Sequence, residues 1–176
     1  MNVKILKEAG YEEALLGLSL SYNSEPSERV AQKLAHKDGG HNKFLESIVV
    51  WLDVTAPRYW WAQMDTYRVG TTKQSESTMH TLMRRKLEQS DFQIGVDPRI
   101  LEMLNHWRGI GSFIQLKAHL PESFLQRRVV CTNYKTLMNI CWQRWDHKLP
   151  EWKFFIGALE DQLDHNEFLG NYNDSE

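Results

Sequence analysis

The chain has 176 residues, of which 41% are hydrophobic and 25% charged, with a net charge of −2 and a pI near 6.4. These are the proportions of a soluble globular chain long enough to bury a real core, expected here as one domain over 1–176. They exclude a field of one sign that would draw the protein to nucleic acid or a lipid surface, and the longest apolar run, Ile48 to Leu52, is far short of the ~20 residues a bilayer span needs.

MNVKILK sets Val3 and Ile5 against Asn2 and Lys4 and predicts a short strand. It carries no apolar h-region, so no secretion signal is read there. A helix follows from Glu12 to Leu20, with Leu15, Leu16 and Leu20 on its apolar face. Ser24-Glu25-Pro26-Ser27 is a turn and helix start, and the helix from Glu28 to His36 ends at Gly39-Gly40. His36, Asp38 and His41 sit in this turn. No metal site is expected there, and none elsewhere, since the chain contains no CxxC. Cys131 and Cys141 are expected as free thiols in a reducing cytoplasm.

The clearest strand runs from Ser47 to Thr55, with Ile48, Val50, Leu52 and Val54 on one face and Val49, Trp51 and Asp53 on the other. Pro57 ends it and opens a helix bearing Tyr59, Trp60 and Trp61. A helical wheel groups Trp60, Gln63 and Tyr67, a plausible reader of a planar ligand or a helix polar between two core aromatics. The following stretch, VGTTKQSES, reads as a hydroxyl-rich loop able to grip phosphate through hydroxyls and N–H groups.

Gln93 to Pro98 is a turn before a helix from Arg99 to Trp107, and Leu120-Pro121-Glu122 starts a further element. The stretch Arg127 to Asn133 reads either as a short strand or as a helical continuation. Helices are expected from Tyr134 to Trp145 and from Glu151 to Leu163, with a frayed tail over about 164–176. On the first of these, Arg144 falls within the apolar stripe of Leu137, Ile140 and Cys141, so an anion or strong acceptor is expected to meet it. That partner is either a structural carboxylate or a ligand. Lys135 and Asn139 lie on the opposite face.

Two blocks of this sequence, taken in order, resemble the flavin-dependent thymidylate synthases. The first is GHNKFLESIVVWLDVTAPRYWWAQMDTYR, where His41, Glu46, Ala56-Pro57, Gln63 and Arg68 keep the family's spacing and Ser77 follows eight intervening residues beyond. In the second block Lys117, Pro121, Asn133, Asn139 and Arg144 keep its intervals. The departures are specific. Thr66 and Tyr67 stand where the family's signature has Arg and His, Met79 and Lys135 stand where it has Arg, and HKLPEW replaces an Ala-Gln-containing stretch. Several of these losses fall on groups that would hold phosphate, and an Arg fork is not replaced in kind by Thr or Met.

The resemblance implies an α+β fold, a small central antiparallel or mixed sheet flanked by helices, in a homotetramer with FAD at subunit interfaces. It implies reductive methylation of dUMP, or a related pyrimidine nucleotide, to dTMP with methylenetetrahydrofolate and NADPH as co-substrates. Carried over by motif, His41, Glu46, Tyr67, Arg68, Asn133, Lys135 and Asn139 would line the flavin, with His41 also where folate stacks. Gln63, Ser75, Ser77, Lys117 and Arg144 would hold dUMP, Arg144 polarising the uracil. Arg144 and His41 are thus the expected catalytic residues. The aromatic helix would be a rigid mount at a subunit interface. The location expected is a cytoplasm, that of the host if the source is viral.

Two other readings stay open at this stage. One is a catalytically inactive relative that keeps the fold and acts as a nucleotide-binding or protein-interaction module, to which Thr66, Tyr67 and Met79 point. The other is a single-stranded nucleic-acid binder, from the aromatics and the Arg84-Arg85-Lys86 and Arg127-Arg128 runs. It is disfavoured by the balanced charge.

Overall fold

In the computed structural model, residues 1–37 and 39–170 are described. Four strands, β1 (Asn2–Ala9), β2 (Val49–Pro57), β3 (Thr72–Ser75) and β4 (Leu125–Asn133), form one antiparallel sheet in the order β1-β2-β4-β3. Eight α-helices are present among the described residues: α1 (Tyr11–Leu20), α2 (Glu28–Ala35), α3 (Arg58–Met64), α4 (Thr78–Thr81), α5 (Pro98–Gly109), α6 (Phe113–Ala118), α7 (Tyr134–Arg144) and α8 (Pro150–Gln162). The α+β class is as expected.

The chain groups into two compact units. One is built from 1–2, 54–67 and 74–128, and the other from 3–53, 68–73 and 129 onward. The chain passes from one to the other within β2 and within β4.

The alternation in β2 is realised. Ile48, Val50, Leu52 and Val54 are fully buried, while Trp51 on the other face is exposed. The stretch with two readings, 127–133, is strand β4, rich in β-branched residues and ended by Asn133, whose side-chain carbonyl accepts from Thr136 N at 2.9 Å and caps α7. In the unit containing α5, the core is Leu82, Leu87, Phe92, Leu104, Leu116, Leu120 and Phe124. Helix α5 begins as its sequence dictates, with Pro98 in the first turn and Asp97 accepting from Arg99 N at 2.8 Å.

Four expectations are corrected. The buried face of α1 is Ala14, Leu15 and Ser19, and Leu16 and Leu20 are 54% and 74% exposed. The hydroxyl-rich loop holds strand β3, whose residues TKQS have no apolar side chain to betray them and are fixed by backbone pairing in the sheet. Trp60 and Trp61 are buried, edge to face at 4.9 Å, with Trp61 Nε1 donating to Gln126 O at 2.8 Å. The aromatic helix is therefore a core helix, and Trp60 has no face left for a ligand. Lastly, 164–170 does not fray. Phe168 is buried against Tyr11, Phe44 and Tyr134, at ring distances of 6.2, 5.7 and 6.0 Å. The rest of the expected tail, 171–176, lies outside the described residues, as does Asp38.

Candidate functional site

Six of the seven expected flavin residues belong to the unit containing α7. His41 follows Gly39 and Gly40, both with positive φ (73° and 84°), which sets the exposed imidazole just before a short 3-10 turn, Lys43–Glu46. His41 and Glu46 both line a cavity of about 640 Å³ whose wall also includes Glu13, Leu18, Tyr22 and Phe44. Glu46 reaches the start of α7, where its carboxylate accepts from Lys135 Nζ at 2.6 Å. Asn133 caps the same helix end. Asn139, one turn further along, is exposed and lines a second, smaller cavity.

Arg68 opens the loop that packs on this helix start. Thr136 Oγ1 donates to Val69 O at 3.4 Å, and the Thr71 and Thr132 hydroxyls are 3.2 Å apart. Gly70 has φ +65°, and a Cβ there would stand 2.7 Å from Thr136 Oγ1 and 2.9 Å from Asn133 Nδ2. A side chain at this position would have to push both groups aside, on a backbone that already favours glycine. Sequence reasoning missed Gly70 and Thr136; the glycine two residues after Arg68 was the available signal. Tyr67, the remaining flavin candidate, ends its segment of the other unit and is half-buried.

Arg144 lies at the end of α7, half-buried, with its guanidinium 5.0 Å from the centroid of the buried Trp152 ring. Helix α8 thus gives the cation an aromatic face, a partner not anticipated from the sequence. His147 meets the same ring edge-on at 6.3 Å and accepts at Nδ1 from Leu149 N at 3.0 Å. Burial, and then the charges of Arg144 and Lys148, hold the pKa of His147 below the ordinary histidine value.

The remaining nucleotide candidates fall in the unit containing α3 and α6. Gln63 is half-buried on α3, which Arg58 begins with its Nη1 donating to Leu120 O at 2.8 Å and its Nη2 3.2 Å from Glu122. Ser77 immediately precedes α4, and Lys117 Nζ on α6 donates to Thr78 Oγ1, one residue beyond. Burial, reinforced by the Arg58 charge, lowers the pKa of Lys117. Ser75 is exposed at the end of β3. Lys117 thus meets the hydroxyl-bearing segment directly, and the Arg58 charge is close enough to act on Lys117.

No protein-family model and no curated protein matches the sequence. The fold does match. One solved structure of the flavin-dependent thymidylate synthase ThyX from Helicobacter pylori, complexed with FAD and dUMP, has a TM-score of 0.79 at 19% identity, over 96% of this chain and 98% of that one. A second, also with FAD and dUMP, gives 0.80 at 17% identity over 99% and 100%.

The chain has the fold of the flavin-dependent thymidylate synthases.

Nearly full coverage of both chains means that this fold is present without a large insertion or a missing element. Sequence identity below one in five leaves the chemistry to be argued from the residues themselves. Among the described residues no three His, Cys, Asp or Glu side chains gather to hold a metal, and no helix is long and apolar enough to cross a membrane.

Proposed function

We propose that the protein is a flavin-dependent thymidylate synthase. It binds FAD and dUMP and forms dTMP, with methylenetetrahydrofolate as carbon donor and NADPH as reductant, in a cytoplasmic homotetramer. The observation that supports this most is the meeting at the start of α7: Glu46 and Lys135, 89 residues apart in sequence, pair at 2.6 Å, and Gly70 seats the Arg68 loop beside them. Residues first singled out by spacing alone therefore gather in one place, in the fold of proteins solved with FAD and dUMP.

The donor set fits a flavin. Arg68 and Lys135 supply cationic donors, Asn133 and Asn139 supply carboxamides, and His41 is an exposed planar ring beside a 640 Å³ cavity. With Glu46 and Tyr67 they are the residues that would hold FAD, which supplies the hydride chemistry when bound. Lys117, Ser75 and Ser77 are assigned to the nucleotide phosphate, and Gln63 to a base or sugar edge. Arg144 is assigned the electrostatic role: a guanidinium held by Trp152 favours negative charge developing on the uracil.

The test is direct. The purified protein should show flavin absorbance, or acquire it on adding FAD, and should form dTMP from dUMP with both co-substrates present. A colourless protein that binds no added FAD overturns the reading.

A second reading rests on Thr66, Tyr67 and Met79. The Thr66 hydroxyl is used locally, donating to Gln63 O at 2.7 Å, and Met79 is 62% exposed. Neither supplies the charge of an arginine. A relative that binds nucleotide without turnover would be recognised by dUMP binding with no dTMP formed.

A further inference from the structure

Of the Arg127-Arg128 pair, Arg127 is exposed, whereas the Arg128 side chain on β4 is turned inward and only 14% exposed. A guanidinium so placed needs its donors met. Its Nη1 donates to both carboxylate oxygens of Asp65, at 2.9 and 3.0 Å, and its Nε and Nη2 donate to Gln126 Oε1 at 3.3 and 2.9 Å. Its central carbon lies over the Trp61 ring, 4.4 Å from the centroid.

These partners adjoin residues assigned to the nucleotide. Trp61 and Asp65 bracket Gln63 at the end of α3. Gln126, two residues from Arg128 and on the same face of β4, extends the network. Its Nε2 donates to Glu76 O at 3.2 Å, and Glu76 N donates to Arg127 O at 2.9 Å. Glu76 is the residue before Ser77. The Gln126 carbonyl also accepts from Trp61 Nε1 at 2.8 Å, which closes a ring of contacts through α3, β4 and the segment entering α4. All of these residues fall within one unit. A lysine could not replace Arg128 here, because an ammonium has neither the planar fork nor the flat face.

We propose that Arg128 is a positioning residue for the nucleotide, holding Gln63 and Ser77 in fixed relation to each other. The inference rests on the proposed function, which assigns those two side chains to dUMP. It gives a role to an arginine that the family spacing does not mark. It also differs from a merely stabilising ion pair in what it affects. Its loss falls on dUMP and spares FAD, six of whose seven candidate residues lie in the other unit.

The test titrates dUMP and FAD into the parent protein and into Arg128→Lys, which keeps the charge and removes the fork. The folded variant is expected to bind dUMP roughly tenfold more weakly, as when hydrogen bonds from Gln63 and Ser77 are misaligned, and FAD within about twofold of the parent. Combining it with Gln63→Ala should weaken dUMP by less than the product of the two single effects, because Arg128 acts in part through Gln63. Parent-like dUMP affinity, an equal loss for both ligands, or fully independent effects in the double variant overturn the proposal while the proposed function stands. Circular dichroism checks folding, and if Arg128→Lys does not fold, Asp65→Asn, at the more exposed end of the same pair, is titrated in its place with the same expectations. A parent protein that binds no dUMP overturns the proposed function and this inference with it.

Discussion

Three glycines with positive φ differ in what a methyl group would meet, and this grades the effect of replacing each by alanine. Gly40→Ala meets nothing within 4 Å, so only the left-handed backbone opposes it. That cost is about 1–2 kcal/mol, offset by about 0.4–1 kcal/mol from a stiffer unfolded chain. Gly70→Ala bears the same backbone cost and places its Cβ 2.7 Å from Thr136 Oγ1 and 2.9 Å from Asn133 Nδ2. Both are side-chain atoms and could turn aside. Asn133, however, is the cap of α7, and losing a cap costs about 1 kcal/mol. The net expectation for Gly70→Ala is about 1–3 kcal/mol, a fall in melting temperature of roughly 2–12 °C for a chain of this size. Gly10→Ala is worst, because its Cβ would sit 2.4 Å from the Ser47 carbonyl oxygen, a backbone atom that cannot rotate away. Thermal and urea unfolding of the three variants should give the order Gly40, Gly70, Gly10 in increasing damage. Gly70→Ala should also weaken FAD binding about tenfold, as expected if one charge-assisted contact from Arg68 is displaced. A Gly70→Ala protein as stable as Gly40→Ala, with FAD affinity unchanged, would refute the claim that this loop seats the flavin residues on α7.

Other outcomes are accessible with the same protein. Arg144→Leu should cost less than about 1 kcal/mol of stability, since it exchanges a cation over an aromatic ring for an apolar contact, yet weaken dUMP at least tenfold in calorimetry. A large stability loss with unchanged dUMP binding would remove Arg144 from the site. Thr66→Arg combined with Tyr67→His should tighten FAD roughly ten- to a hundredfold in a fluorescence titration, by adding charge-assisted phosphate contacts. His147 has a folded pKa below its unfolded value, so the unfolded chain binds the extra proton first. The stabilisation is present above the ordinary histidine value of about 6.5 and is lost as pH falls from there to the folded pKa. Melting curves of His147→Phe should lack that acid-side decline. Light scattering should give four subunits of 20.7 kDa, and a monomer at micromolar concentration would contradict the assembly proposed.

The sequence made some of this structure legible, for physical reasons that differ from element to element. Strand β2 was readable because one of its faces is wholly buried, which forces strict alternation. Strand β3 was not, because pairing of backbone groups leaves no mark on TKQS. The face of α1 was misjudged because Leu16 and Leu20 are leucines that stay in water, and periodicity cannot tell which of two apolar rows is covered. The group Trp60, Gln63 and Tyr67 left a ligand reader and a core helix both open for a related reason: an aromatic run has the same appearance in a core and at a site, and Trp60 is buried. At the candidate site, spacing pointed to Glu46 and Lys135, which are joined in space, and to Ser77 and Lys117, which lie around Thr78. It was silent on Gly70, where the glycine was visible but its close approach to the start of α7 was not.

The interleaving of the two units has a consequence for how the chain reaches its native state during synthesis. Tyr134, which hydrogen-bonds Glu8, and Phe168, which packs on Tyr11, join the first dozen residues of the sequence to residues more than a hundred positions later. A nascent chain emerging from the ribosome can assemble most of the segment 54–128 as it appears, but β1 and α1 must wait for α7 and the turn at Phe168 before their own core closes. Until then Leu15, Ala14 and Val3, buried in the finished molecule, are open to solvent. This early stretch is where a chaperone would find its first apolar handle.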